Sequence, residues 1–75
     1  MQLSEMKQAQ KGKIVKVGGT GPFRRRILEM GILKGCTIHV EKYAPLRDPI
    51  ELVVKGNHIS LRVEEASQII IDPLE

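Results

Sequence analysis

Five short apolar runs, most of them bounded by glycine or proline, narrow the folds open to this chain more than any other feature. They read "GKIVKV" (Gly12 to Val17), "TIHVEKY" (Thr37 to Tyr43), "IELVV" (Ile50 to Val54), "HISL" (His58 to Leu61) and "QIIID" (Gln68 to Asp72). Their β-branched content predicts strands, as does the alternation of Ile38 and Val40 with His39 and Glu41. The segments "GGTGP", "LKGC", "APLRDP" and "KGN" between them carry turn chemistry. Pro45 and Pro49 hold the residues before them extended. Gly56-Asn57 is the expected two-residue hairpin turn. With 75 residues the chain makes a single domain, residues 1–75, and leaves no room for a second.

One segment has a different period. In "PFRRRILEM", Phe23, Ile27 and Met30 recur at i, i+4 and i+7, with Leu28 at the margin, which predicts a helix from Pro22 to Met30. Pro22 suits the first helical position, where its missing N–H costs nothing. Gly31 is placed to end the helix left-handed, with Ile32 folded back onto Ile27. "RVEEAS" (Arg62 to Ser67) reads as one helical turn. The expected architecture is mainly β: a small SH3-like barrel of about five strands with a short inserted helix and one helical turn. An OB-type barrel is the alternative, although its strands are normally longer. Phe23 and Tyr43 are the only aromatics, so Ile, Val and Leu must fill the core.

Cys36 is the only cysteine, so no internal disulfide is possible. The longest apolar runs are three residues, as in Ile69-Ile70-Ile71, far short of a membrane span. "MQLSEMKQAQKGK" has no apolar signal region, so a soluble cytoplasmic protein is expected, with no membrane insertion. A formal net charge of +3 permits an anionic partner and selects none.

The chemistry-bearing motifs are sparse. "VGGTGPFRRR" looks like a phosphate cradle, but its spacing fits neither GxGxxG nor GxxxxGK[ST], and Pro22 removes one backbone donor. Cys36, His39 and His58 lack metal-ligand spacing; a weak surface site from His39, Glu41 and His58 is conceivable on strand geometry. No cofactor is expected beyond such weak divalent contact. The acids Glu41, Glu51, Glu64 and Glu65 have no paired partner in an evident pocket, so no enzymatic activity is expected. Single-strand nucleic-acid binders usually add aromatic stacking platforms, and Phe23 and Tyr43 leave little to stack on.

The run Arg24-Arg25-Arg26 is the remaining oddity. On a helical wheel Arg25 and Glu29 lie opposite the apolar stripe, and Arg24 and Arg26 border it on either side. Positive charge in a first helical turn opposes the macrodipole by a few tenths to about 1 kcal/mol per charge. Either the face is merely solvated, its Arg stems covering apolar edges, or it docks an acidic partner. The expected partner surface is Arg24 and Arg25 with Leu46 and Arg47 of the "APLRDP" loop. Leu46 lies between two prolines and can serve as an apolar anchor; the rival placement tucks it over an open end of the barrel.

The stretches "RRRILEMGILKGCTIHV" and "APLRDPIELVVKGNHISLRVEEASQI" resemble the ferrous iron transport protein A (FeoA) family, from about Leu3 to Asp72. The combination R-x-x-EMG, AP-L-x-DP and G-x-x-ISLR-x-EEA carries the likeness. The resemblance implies an SH3-like barrel and a cytoplasmic accessory role in ferrous iron uptake, acting on the membrane GTP-binding transporter FeoB. The family is also similar to the C-terminal SH3-like domain of metal-dependent repressors, which makes a metal-binding or metal-sensing domain the alternative function. Two departures stand out. The family usually has Lys-Pro-Gly where this chain has Lys7-Gln8-Ala9, and a small residue where it has Arg47.

Overall fold

The computed structural model describes residues Met1 to Leu74. Five antiparallel strands, β1 (Lys11–Val17), β2 (Thr37–Tyr43), β3 (Ile50–Val54), β4 (Asn57–Leu61) and β5 (Ile69–Leu74), form one sheet in the order β4-β3-β2-β1-β5. Helix α1 (Gly21–Glu29) follows β1, and the single turn α2 (Val63–Ala66) follows β4. The sheet coils around an aliphatic core without its outer strands pairing into a closed barrel. This is the mainly β, SH3-like arrangement expected from the five runs.

Coiling rests on two bulges. β1 slips against β5 between Ile14 and Lys16, and β2 slips against β3 between Val40 and Lys42. Each inserts one extra residue and bends its strand. The first bulge turns Val15 outward, to 44% exposure, while Ile14 and Val17 both face the core. Strict alternation would have sent Ile14 and Val17 to opposite faces. The inner face holds Ile14, Ile38, Val40, Ile50, Leu52, Val54, Leu61, Ile69 and Ile71, and no polar side chain is buried among them. Pro73 is tolerated in β5 because that strand lies at the edge of the sheet.

The helix begins one residue earlier than expected, at Gly21, and Met30 is its C-cap rather than its last residue. Pro22 loses nothing by the shift, since the N–H groups of the whole first turn lack helical partners. The C-terminus forms as expected. Gly31 sits at φ 89°, its N–H bonds the Leu28 carbonyl, and the Ile32 N–H reaches back to the Ile27 carbonyl. Those two bonds define a Schellman motif, and Ile27 and Ile32 are both fully buried. A Cβ at Gly31 meets nothing within 4 Å, so a substitution there tests the backbone alone. Gly31→Val should lose about 1–3 kcal/mol; a thermal melt superimposable on the parent's would contradict this.

The hairpin turn is Lys55-Gly56, at φ 53° and 79°, and not Gly56-Asn57. Asn57 instead pairs with Val54, and the ladder runs on to Ile50 opposite Leu61. That register keeps one more pair than the expected turn would, which offsets a left-handed lysine. The two family departures have a common physical feature. Ala9 and Arg47 both adopt positive φ, 69° and 66°, where glycine is the least strained residue.

The first six residues, which carry no periodic signal, complete the core. A 3-10 turn at Leu3–Glu5 buries Leu3 and Met6 almost entirely. The segment is tied to β5 by a Gln2–Ile70 bridge and by the Ile71 N–H bonding the Met1 carbonyl at 2.8 Å.

Candidate functional site

The three arginines of α1 have separate roles. Arg26 pairs with Glu65, which joins α1 to α2. Glu65 also accepts the Arg62 N–H at 2.9 Å, so one carboxylate caps α2 and anchors α1. Arg24 and Arg25 are exposed and make no ion pair among the described residues. With Gly21 as the first helical residue, Arg26 falls in the last turn, where positive charge is favourable, and of the three only Arg24 stands at the edge of the first turn.

The "APLRDP" loop is held in a fixed shape. The Arg47 N–H bonds the Ala44 carbonyl at 2.7 Å, closing a turn with Pro45 at its second position. The Ala44 N–H bonds the Pro49 carbonyl at 3.0 Å across the loop's base. Asp48 Oδ1 accepts the Val63 N–H at 3.1 Å, at the start of α2. The Arg47 guanidinium lies over the Tyr43 ring, 5.0 Å from its centroid. Tyr43 in turn donates its hydroxyl hydrogen to the Met6 carbonyl. Burial pushes the Tyr43 phenol above its usual pKa, and the Arg47 charge pulls the other way.

Leu46 stands at the tip of this braced loop, 90% exposed. The placement over a barrel end is therefore ruled out. The ordered turn lowers the entropic cost of using this side chain as an anchor. Leu46→Ala should leave the melting temperature unchanged, because there is no burial to lose, and should weaken partner binding. A melt lowered by several degrees would instead return Leu46 to the core.

The four expected contact residues do not share one cavity. Arg24 lines a groove with β1 and Lys34. The hollow that reaches the loop is lined by Arg26 with Asp48, Pro49 and Ser60. Leu46 with Arg47, and Arg24 with Arg25, are two sequence-adjacent pairs on separate elements, not one pocket. Sequence reasoning missed the Arg26–Glu65 pair because no local spacing signals it.

The other candidates resolve quickly. Glu64 and Glu65 face the glycine-rich turn before α1, a poor setting for phosphate. Glu41 Oε2 and His58 Nδ1 come to 3.3 Å, and His39 lies in the same cross-strand row as His58, through Val53. Among the described residues no three His, Cys, Asp or Glu side chains converge as metal ligands.

The sequence matches the FeoA domain family over residues 1–73. It is 46% identical over 72 residues to an Fe(2+) transport protein A/Fe(2+) transporter FeoB fusion protein of Porphyromonas gingivalis, covering 96% of this chain and 8% of that protein's length. The solution structure of the Chlorobium tepidum FeoA protein superposes with a TM-score of 0.93 at 33% identity, over 100% of this chain and 71% of that one. A zinc complex of Stenotrophomonas maltophilia FeoA, described as an SH3 domain protein, gives 0.85 at 25% identity over 96% and 89%. A manganese-dependent transcriptional repressor shares the fold at 0.89 and 18% identity, over 99% of this chain and 36% of the repressor.

Proposed function

Because the chain belongs to the FeoA family, we propose that it is a cytoplasmic accessory protein of ferrous iron uptake that binds and regulates the membrane transporter FeoB. The observation that carries this reading is the Porphyromonas gingivalis relative, in which a FeoA segment and FeoB are one polypeptide. Covalent linkage raises the effective concentration of two modules to the millimolar range, so even a weak contact between them is held. Where the two modules are separate polypeptides, the same contact has to be made by surface affinity alone. Arg24, Arg25, Leu46 and Arg47 offer exposed charge and one exposed anchor for it. No helix among the described residues is long and apolar enough to cross a membrane.

The test is a titration of isotopically labelled protein with the soluble GTP-binding domain of FeoB, and then with the whole transporter in detergent. Amide shifts should concentrate at Arg24, Arg25 and Ala44 to Arg47. A spectrum unchanged by both would overturn the reading.

On this reading the chain has no catalysis and no resident cofactor of its own. Isolated protein should not hydrolyse GTP, having no P-loop spacing, and should bind ferrous iron no tighter than about micromolar. Calorimetry showing a sub-micromolar ferrous site would favour a metal-sensing function. Its loss in His39→Ala with His58→Ala would then assign the ligands.

A further inference from the structure

Strand β1 changes neighbours along its length. Its pairing with β2 covers Lys11 to Lys13, and Ile14 makes the next bonds on that side, to Gly35 and Cys36. Pairing with β5 continues through Val17. Val15 to Val17 therefore have a strand on one side only. Along that bare edge runs a groove of about 510 Å³. One bank is Val15, Lys16 and Val17; the other is Arg24 and Leu28 of α1, with Lys34.

Three properties of this groove point to one kind of occupant. First, a strand edge facing a helix across a groove is the geometry in which an extended peptide adds as a further strand. Second, the rim is cationic. Lys16, Arg24 and Lys34 make no ion pair among the described residues, and no acid lines the groove. The hollow that continues past Val15 adds Lys13 and a single acid, Asp72. Third, each bank offers apolar surface to an occupant: Val15 is 44% exposed and Leu28 half-buried.

We infer that this groove takes an extended acidic segment of a partner protein, added as a strand beside Val15–Val17. Alternate side chains of such a segment point in opposite directions, so one set packs on Val15 and Leu28 while the other set presents carboxylates to the lysines. The recess favours a peptide over a lipid surface, since a flat bilayer meets protruding groups and not the floor of a groove. Nucleic acid lacks the stacking platform it would need there, because no aromatic residue lines the groove. The inference goes beyond the reading above, which names a partner but not this groove, and its test needs no transporter.

The probe is an acetylated and amidated heptapeptide of alternating glutamate and valine, titrated into labelled protein. Shifts should map to Val15–Gly19, Arg24 and Leu28, and binding should weaken as salt is raised. Lys16→Glu with Lys34→Glu changes exposed side chains only and should lower affinity at least about tenfold, with an otherwise native spectrum. Of two further peptides N-methylated on alternate edges, one should fail to bind, because its backbone cannot pair. Undiminished binding of both would reduce the groove to a charge patch and overturn strand addition. Shifts mapping elsewhere would overturn the site. Sedimentation with phosphatidylglycerol vesicles, beside a spectrum the acidic peptide leaves unchanged, would replace the peptide by a lipid surface.

Discussion

Leu3→Ala should lose about 2–5 kcal/mol of folding stability, more than any surface change in this protein. Leu3 is 0% exposed and packs in the same cluster as Ile14, Ile27 and Ile71. Its removal leaves a cavity that a core walled by sheet on most sides cannot collapse into. At the usual 0.05–0.15 kcal/mol per residue, 75 residues are worth about 4–11 kcal/mol in total. The variant should therefore lose a large share of its total stability. Urea denaturation at 25 °C checks it: the midpoint should fall sharply with the slope unchanged. A midpoint close to the parent's would show that the amino-terminal segment is not part of the cooperative core.

Arg24→Glu with Arg25→Glu should abolish ferrous iron uptake in cells while leaving the fold intact. Both side chains are exposed and unpaired among the described residues, so nothing in the fold depends on them. Arg24 closes the first helical turn, where a carboxylate is favourable by a few tenths to about 1 kcal/mol, and Arg25 lies just beyond it, so the melting temperature should hold or rise slightly. Loss of function together with raised stability separates an interaction surface from a structural one, because a structural role would lower both. Uptake of radioactive iron by cells expressing the variant at parental level is the measurement. Full uptake would remove the two arginines from the contact. Arg26→Glu is the informative control: it breaks the pair with Glu65 and places two carboxylates together, so it should lower stability.

What the sequence determined by itself is everything set by local period and local stereochemistry. The five runs, the stripe of Phe23, Ile27 and Met30, and the left-handed Gly31 with its two capping bonds follow from side-chain spacing and from what glycine alone tolerates. The exposure of Arg24, Arg25 and Arg47 is likewise legible, since charge stays in water unless something distant claims it. The tertiary structure decided the rest, because each remaining feature depends on residues far apart in the chain. Arg26 was claimed by Glu65, a pairing no helical wheel contains. Val15 was turned outward by a slip against β5, and the edge beside the groove was left bare because pairing with β2 ends at Lys13. The hairpin turn moved by one residue because ladder pairing outweighed the local preference of Asn57. Leu3 and Met6 look like scattered apolar residues until the coiled sheet presents an end for them to fill. Leu46 shows the same division most plainly. Two prolines identified its loop, but only the bonds from Arg47 to Ala44 and from Val63 to Asp48 fix that loop so that the side chain faces water instead of the core.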